Sequence, residues 1–374
     1  MKPLKVFILL TLFITISDRL LFVLFPTYLI EKNFSATEIG LIFAAAALFL
    51  VILRTYIGKL SDSHGRKKIL SAGLLINSLS TFLYPLASKI YEFIVVRVIK
   101  EISDTLNSSV ESSLQADSFS RKERPKYLIK LGKAYTISRA IAAVIGIIIT
   151  TYLSIALGFY VAAASMFAAF LILIIFFKEK NNSRAEKKGK LNPLKYDKNF
   201  KFMALIGFVT SLVFGIMYAP AFFIFGEKYL GISASGIFLL FLTGYILSTI
   251  FIHIVEKKKS NFGTKRIMLT AMALYAFFSF IYLFSNVIAF VIAAIGIAVS
   301  YYFWRIAFRT VTMDMARPER RGEQLGFIQT LQGIGDVFGP LIGGLLIDTL
   351  FIQAPFLVGG ALYAAAAVLI LKRF

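Results

Sequence analysis

The sequence predicts an all-α integral membrane protein with twelve transmembrane helices in two six-helix halves. Of its 374 residues, 58% are apolar and only 16% are charged, whereas soluble chains have about 45–50% and about 25%. Twelve apolar runs approach the roughly 20 residues that a helix needs to cross the hydrocarbon core. Basic residues outside these runs lie almost entirely on one side, which is the charge asymmetry of multi-pass membrane proteins.

The twelve predicted spans follow one another through short connections. In chain order they cover residues 6–29, 38–57, 69–87, 91–115, 127–150, 152–177, 202–225, 234–255, 267–285, 287–312, 325–347 and 354–371. These runs are too uniformly apolar for the alternating strands of about ten residues that form transmembrane barrels. The first run is similar to a signal peptide, but Asp18 and Arg19 interrupt it and no clean cleavage site follows, so we predict an uncleaved span. The breaks near Thr151 and Asn286 predict tight hairpins.

The positions of lysine and arginine predict which side each connection faces. If the N-terminus is cytoplasmic, 29 of the 41 basic residues lie on the cytoplasmic side. The opposite side then has only Lys32, Lys89 and Lys228, and the other nine basic residues lie inside the spans. This asymmetry predicts a plasma-membrane protein with both termini in the cytoplasm. Basic loops beside an anionic leaflet account for the net charge of +21 without a nucleic-acid partner.

A polar segment, 178–201, divides the chain into an N-terminal half, 1–177, and a C-terminal half, 202–374. It carries nine basic residues, and we interpret it as a solvated cytoplasmic linker. The halves are weakly similar at an offset of 197 residues, which aligns Asp117 with Asp314. Parallel repeats of this kind are typical of transporters with a substrate site near the midplane.

Several function classes are excluded by what the sequence lacks. Without cysteine, the chain has no disulfide, thiolate metal site or cysteine nucleophile. Its two histidines, His64 and His253, are far apart, so we predict neither a metal site nor a cofactor. His253 has no obvious partner for an intramembrane hydrolase, and no segment is long enough to be a sensor's output domain. The phosphate-binding loop of an ATP-driven pump is also missing, and Gly333-x-Gly335 lacks the preceding strand of a dinucleotide site. We therefore predict that the chain is not an enzyme.

The connection between spans 2 and 3 has a distinctive pattern of glycines and charges. It reads Gly58-x-x-x-Asp62-x-x-Gly65-Arg66, followed by two lysines. Gly58 lets helices approach closely, and Gly65 permits a turn with positive φ. Asp62 can accept hydrogen bonds at the N-terminus of a neighbouring helix.

This connection resembles motif A of the major facilitator superfamily. Ser63 departs from it, because the family usually has arginine or lysine there. Arg97 in span 4 is similar to the arginine of motif B, although Glu101 stands where a glycine is usual. The resemblance implies alternating access between two halves, with Asp62 stabilising the outward-facing state.

A second glycine pattern lies in span 11. Gly335-x-x-x-Gly339-Pro340-x-x-Gly-Gly is similar to motif C, which the family's proton exchangers carry in span 5. Span 5 of this chain lacks the Gly-Pro pair, which weakens the inference of antiport. Small residues spaced by four predict a close seam between helices.

Ionisable residues inside span 4 form a polar stripe. At 100° per residue, seven side chains fall within about 100° of arc: Arg97, Lys100, Glu101, Asp104, Ser108, Glu111 and Gln115. Charges in a membrane face a partner or a watery cavity. Two interpretations remain open: a ladder of i, i+4 ion pairs, or a helix that lines an aqueous route.

The resemblance implies that spans 1, 4, 7 and 10 line a central cavity. Span 1 offers Asp18 and span 7 offers Tyr218, while span 10 offers Tyr301, Trp304, Arg305, Phe308, Arg309 and Thr312. Span 11 places Gln329, Gln332 and Asp336 on one face. The repeat offset matches Arg139 of span 5 with Asp336, which suggests a gate in which these two side chains pair across the halves.

We predict a secondary active transporter of a small organic solute, proton-coupled and suited to drug or metabolite efflux. The candidate proton carriers are Asp18, Glu101 and Asp104, and Arg97 would balance charge or bind a substrate anion. The alternative is a facilitator or uptake carrier for an organic anion or sugar, without proton coupling. The expected partners are the small-molecule substrate, protons and the lipid bilayer, and the protein is expected to be a monomer.

Overall fold

Apolar chains in a bilayer fold as helices because each backbone N–H then finds its acceptor within the same segment. In the computed structural model, described for residues 3–118, 124–177, 196–257, 263–317 and 321–373, twelve long helices follow one another. Within these helices, the description leaves out the side chains of residues 50, 52–64, 108–113, 115–118, 124–126, 128–129, 252–257 and 321–322.

The helix bounds extend the predicted spans by a few residues at most ends. The first six helices are α1 (Pro3–Glu31), α2 (Ala36–His64), α3 (Arg66–Leu83), α4 (Ile90–Ser118), α5 (Arg124–Tyr152) and α6 (Ile155–Phe176). The next six are α7 (Lys198–Ile216), α8 (Ala234–Lys257), α9 (Thr264–Ile281), α10 (Val287–Met315), α11 (Arg321–Thr349) and α12 (Ala354–Arg373).

Ten helices of the described chain are long and apolar enough to cross a membrane, by length and composition. In α2 the qualifying apolar segment is the shorter Ala36–Phe49. The polar stripe of α4 lowers its mean hydropathy, so this helix needs polar neighbours that compensate its charges.

The two predicted hairpins are tight, and capping residues define them. Ser154 ends the α5–α6 connection, and its hydroxyl accepts a hydrogen bond from the backbone N–H of Leu157 at 3.3 Å. Asn286 begins α10 by accepting from the backbone N–H of Ala289 at 2.8 Å. The preceding Ser285 has a left-handed backbone, with φ of 52°. Side-chain caps satisfy backbone N–H groups that have no partner within the helix.

The helices form two compact units. Unit 1 consists of Met1–Lys32, Ala45–Lys187 and Ala234–Leu239, and unit 2 of Asn33–Ala44, Lys188–Ser233 and Leu240–Phe374. The helices α2 and α8 are therefore each divided between the units, with their first turns assigned apart from the rest.

Unit 1 packs α1 against α5 and α6, and α3 against α4 and α6. Near the start of α1, Phe7 and Leu10 are fully buried among α3 and α6 side chains. At the other end of α1, Phe25 packs on Tyr84 with 4.6 Å between ring centroids. The Tyr84 ring lies 5.4 Å from that of Phe159 in α6. These rings join the end of α1 to α6 and to the turn that follows α3.

Unit 2 packs α7 against α11 and α12, and α9 against α10 and α12. Two π-helical segments, Met217–Phe222 and Ile224–Tyr229, extend α7. Pro220 lies in the first of them and has no N–H to continue the helix. At the start of α7, backbone N–H groups of Asn199 and Phe200 donate to the Asp197 carboxylate. These hydrogen bonds hold the pKa of Asp197 below its usual value.

Candidate functional site

A network of charges around one buried lysine connects α1, α3 and α4 within unit 1. The Nζ atom of Lys100 lies 2.5 Å from Asp104 Oδ2 and 3.8 Å from Asp18 Oδ1, and the lysine side chain is only 5% exposed. Asn77 of α3 donates a hydrogen bond to the other oxygen of Asp104. One buried cation thus holds two carboxylates from different helices, Asp18 with 40% and Asp104 with 30% of its side chain exposed, which compensates part of the cost of removing the lysine from water.

A second ion pair lies on the same helix. Arg97 Nη2 lies 2.6 Å from Glu101 Oε1, and both side chains are mostly buried. The Arg97 guanidinium also sits 5.1 Å from the centroid of the Phe25 ring, within the range of a cation–π contact. Both i, i+4 pairs of the predicted ladder are therefore present.

The other interpretation of the stripe, an aqueous route, stays a prediction. The side chains of Ser108, Glu111 and Gln115, which would continue the stripe, lie outside the described residues.

Sequence reasoning missed two features of this network. Lys100 was placed on the stripe, but its contact with Asp18 depends on which helix lies beside α4. The sequence did not indicate the contact of Asn77 with Asp104, because the spacing of a lone asparagine in a span does not distinguish a functional residue from a structural one.

Arg139 lies beside another arginine in unit 1. Its guanidinium carbon is 5.5 Å from the centroid of the Tyr135 ring, and that of Arg19 is 5.9 Å from the same centroid. Arg19 also donates to the Tyr135 hydroxyl at 2.8 Å. The sequence singled out Arg139 but not its neighbour on α1. Pairing of Arg139 with Asp336, which belongs to unit 2, stays a prediction.

A cavity of about 570 Å³ lies within unit 2, bounded by α7, α10 and α11. This volume is in the range of small-molecule sites. All six candidates of span 10 line it, as do the three polar residues of span 11: Tyr301, Trp304, Arg305, Phe308, Arg309, Thr312, Gln329, Gln332 and Asp336. Tyr218, the candidate from span 7, lies next to the cavity, where its ring stacks on the lining Phe214 at 4.8 Å.

Aromatic rings form one wall of this cavity. Phe214 stacks on Tyr301 at 5.4 Å with 24° between the ring planes. Tyr301 and Trp304 are 5.7 Å apart at 31°, and Trp304 stacks on Phe308 at 5.1 Å and 25°. Neighbouring rings partly cover one another, and Trp304 and Phe308 are almost fully buried, so Phe214 and Tyr301 supply most of the aromatic surface that a flat ligand could contact.

The polar groups of the cavity differ in how they are partnered. The Asp336 carboxylate accepts a hydrogen bond from the Ser211 hydroxyl. Among the described residues, neither the Arg305 nor the Arg309 guanidinium has a hydrogen-bond or ion-pair partner, and both side chains are exposed to the cavity side of α10. Trp304 is 3% exposed, and its Nε1 has no hydrogen-bond partner in the described part of the chain.

The glycines of α11 lie directly against the backbone of α7. A Cβ added at Gly335 would lie 2.7 Å from Leu212 N, and one at Gly339 would lie 2.5 Å from Leu212 O. At Gly343 the first atom met would be the carbonyl oxygen of Ile216. Every fourth residue of this face therefore has to lack a side chain, which is the geometry of a close helix–helix seam.

The opposite side of α11 contacts the first turns of α2, also within unit 2. A Cβ added at Gly40 would meet the Pro340 carbonyl, and the Asp348 carboxylate accepts a hydrogen bond from the backbone N–H of Thr37 at 2.7 Å. Pro340 also packs on Gly215 of α7, where an added Cβ would lie 2.7 Å from its Cδ.

The connection between α2 and α3 turns at Gly65, which has φ of 85°. Arg66 begins α3, and Lys67 Nζ donates to the carbonyl oxygens of Ile174 at 3.0 Å and Phe177 at 2.5 Å. Lys67 thus satisfies carbonyl groups at the C-terminus of α6, where the helix itself supplies no N–H donor. Gly58 and Asp62 belong to α2, and the Asp62 side chain and the surroundings of Gly58 lie outside what the structure describes.

A family model matches almost the entire chain. It is the model of the Major Facilitator Superfamily, and it matches residues 7–261 and 228–374.

Two groups of bacterial relatives also align over most of the chain. The chain is 28% identical to Multidrug resistance protein 1 of Bacillus subtilis (strain 168), covering 86% of this chain and 84% of the relative. It is 24% identical to Quinolone resistance protein NorA of Staphylococcus aureus (strain MRSA252), covering 92% and 90%.

Solved structures share the fold. The nucleoside transporter NupG superimposes with a TM-score of 0.76 at 14% identity, covering 100% of this chain and 99% of that one. The human organic anion transporter MFSD10 gives a TM-score of 0.70 at 15% identity, with 99% of each chain covered.

Proposed function

The chain belongs to the Major Facilitator Superfamily, and from this membership we propose that this membrane transporter exports small organic solutes in exchange for protons. In this mechanism the halves 1–177 and 202–374 alternate between two openings. Asp18 and Asp104 take up and release the proton, and the cavity of unit 2 contributes the surface that the solute contacts.

The observation that carries the proposal is the Lys100 network. Two carboxylates share a single buried lysine as their described ion-pair partner. When both carboxylates are ionised, this trio has one excess negative charge, and because the two carboxylates are only partly exposed to water, that charge is incompletely solvated. A proton on either carboxylate removes the excess, and its departure restores it. A trio of this kind therefore favours two charge states that differ by one proton.

The names of the relatives support efflux of more than one organic compound. Relatives named for multidrug resistance and for quinolone resistance align with this chain nearly end to end. The aromatic wall of the cavity favours flat apolar solutes of many kinds, because stacking and apolar contact depend little on the position of polar atoms.

Proton coupling is tested by flux in liposomes that contain the purified protein and carry a pH gradient. We suggest two fluorescent solutes, the cation ethidium and the quinolone norfloxacin. Asp18→Asn and Asp104→Asn preserve side-chain shape but remove the titrating group. We expect each to reduce gradient-driven flux at least tenfold and to flatten its dependence on pH.

The matched control is Glu31→Gln, which removes an exposed carboxylate at the end of the same helix as Asp18. It should keep wild-type flux. Unchanged flux and pH dependence in both aspartate variants would reject proton coupling through the Lys100 network. The same assay with Asp62→Asn tests the conformational role of motif A.

A facilitator without proton coupling is the second candidate, and the two arginines of the cavity favour an anionic solute for it. Flux that follows the solute gradient alone, with and without a pH gradient, would identify this mode. The Arg139–Asp336 gate is tested by charge reversal, since Arg139→Asp should abolish flux and the added Asp336→Arg should restore part of it.

We further propose that the protein is a plasma-membrane monomer with both termini in the cytoplasm. Because the chain has no cysteine, single cysteines can be placed without a background signal. Lys372→Cys should react with an impermeant maleimide only in permeabilised cells, and Lys32→Cys and Lys228→Cys should react in intact ones. Light scattering of the detergent complex gives the oligomeric state.

A further inference from the structure

The cavity of unit 2 holds two arginines that have no described partner. Arg305 and Arg309 are separated by one turn of α10 and both line the cavity. Like charges at this spacing repel each other, and cations within a membrane helix need a counter-charge or water. The carboxylate among the lining residues, Asp336, is hydrogen-bonded to Ser211. The geometry therefore leaves an excess of positive charge inside the cavity.

A buried donor lies on the same helix, directly before Arg305. Trp304 Nε1 has no hydrogen-bond partner among the described residues, although the side chain is only 3% exposed. Buried polar groups in native proteins are nearly always hydrogen-bonded. Because Trp304 lines the cavity, an acceptor on a bound ligand would satisfy this donor.

The apolar part of the site restricts the shape of that ligand. Tyr301, Trp304 and Phe308 follow α10 as successive rings, with Phe214 of α7 stacked on the first. An aromatic ring lying against this wall would place its substituent next to the turn of α10 that carries both arginines. Guanidinium groups bind carboxylates with charge-assisted, often bidentate hydrogen bonds.

We propose that the cavity binds a planar aromatic carboxylate, with its ring on the aromatic wall and its carboxylate between Arg305 and Arg309, where the Trp304 N–H also donates to it. This inference rests on the proposed function, since it names the substrate class of the same transporter. It assigns Arg305, Arg309 and Trp304 as the residues that determine specificity for acids.

The protein contains its own reporter for this site, because Trp304 is the single tryptophan of the chain. Three probes share a nitrophenyl ring that quenches tryptophan emission on contact: 4-nitrobenzoate, 4-nitrobenzylammonium and 4-nitrobenzyl alcohol. Each is titrated into purified full-length protein, with emission excited at the red edge, where tyrosine does not absorb. Calorimetry supplies affinities independently. We expect the acid to bind at least tenfold more tightly than the alcohol, and the ammonium most weakly.

Substitutions then separate the contributions. Arg305→Gln and Arg309→Gln should each weaken the acid about tenfold, as the loss of a charge-assisted hydrogen bond implies, and leave the alcohol within twofold. Arg305→Lys keeps the positive charge, so it should weaken binding of the acid less than Arg305→Gln does. Trp304→Phe keeps a ring in the wall, so a weaker calorimetric affinity for the acid alone reports the missing N–H.

The control is Arg266→Gln, which removes an exposed arginine at the start of α9, away from the cavity-lining residues. It should leave all three affinities unchanged. Equal affinity for acid and alcohol, tighter binding of the ammonium, or wild-type affinity for the acid in both arginine variants would overturn the inference.

The two levels of proposal fail differently. Tight, arginine-dependent binding of the acid without pH-driven flux would remove proton-coupled export and keep the assigned ligand class. Robust pH-driven flux of neutral or cationic solutes, with no preference for the acid, would keep proton-coupled export and remove the assigned ligand class.

Discussion

The seam between α7 and α11 gives the sharpest test of how the sequence determines this fold. In Gly339→Ala, the new Cβ would lie 2.5 Å from the carbonyl oxygen of Leu212 and 2.8 Å from the Cα of Gly215. Ordinary van der Waals contact begins at 3.4 Å. Both obstacles are backbone atoms, so no side-chain rotation relieves the overlap. The two helices have to separate by roughly 1 Å, and overpacking of this kind typically costs about 1–3 kcal/mol.

The control for this change lies on the same helix. A Cβ at Gly326 would meet nothing within 4 Å, so Gly326→Ala changes only the intrinsic helix preference, by about 1 kcal/mol in favour of alanine. Gly339→Ala gains the same helix preference, but its new Cβ forces α7 and α11 apart. The difference between the two variants therefore isolates the cost of separating the helices.

The assay is thermal unfolding of the purified protein, followed by the emission of Trp304. This ring belongs to the cavity wall that α7, α10 and α11 form. We expect Gly339→Ala to melt several degrees below Gly326→Ala, since about 1 kcal/mol corresponds to roughly 2–4 °C in domains of this size class. Gly335→Ala, which also meets the α7 backbone, should behave like Gly339→Ala. Equal melting temperatures for the seam variants and the control would refute the close packing of α7 on α11.

Three further predictions concern polar contacts. Lys100→Met leaves two partly exposed carboxylates without their shared buried cation, so we expect a loss below the roughly 3–5 kcal/mol of a fully buried pair, measured as a lower melting temperature that a second change, Asp104→Asn, partly restores. Lys67→Met removes the donor to the C-terminus of α6 and should increase amide hydrogen exchange there, whereas Lys67→Arg should not. The Asp197 cap has a lowered pKa, so it stabilises α7 above the pKa of the unfolded chain and loses this effect as the pH falls through the folded value. Wild-type protein should therefore lose more stability in acid than Asp197→Asn. Melting temperatures of the two proteins that fall in parallel as the pH is lowered would contradict this.

The fold was predictable because the bilayer imposes strong local rules on the sequence. Span length, apolar composition and the positions of basic residues each depend on a short segment of chain, and all three signals predicted the same set of membrane-spanning helices. The tight hairpin at Asn286 followed for the same reason, since the capping side chain and the backbone N–H that it accepts from are three residues apart. Gly65 was expected to adopt positive φ and does so.

The partners of the charged residues were predictable only within one helix. The pairs Arg97–Glu101 and Lys100–Asp104 followed from the helical repeat. Contacts between helices, such as Lys100 with Asp18, depend on the rotation and neighbour of each helix. The rotation and the neighbour of each helix are set by many side-chain packing contacts along its length. No single spacing in the sequence encodes them. The orphan nitrogen of Trp304 was equally invisible, because burial and partner are properties of the assembled cavity.

The proposed coupling residues and the proposed ligand residues use different helices, and this separation has a testable consequence. The Lys100 network is built from α1, α3 and α4, and the cavity from α7, α10 and α11. Residues that share no contact partner usually have additive effects. We therefore expect Asp18→Asn to change the pH dependence of flux without altering the affinity for 4-nitrobenzoate at fixed pH. Arg309→Gln should lower that affinity and leave the pH midpoint of flux in place. A double variant whose effects on affinity deviate from additivity by more than about twofold would show that proton and solute act on one shared set of residues, and that a model with separate sites is wrong.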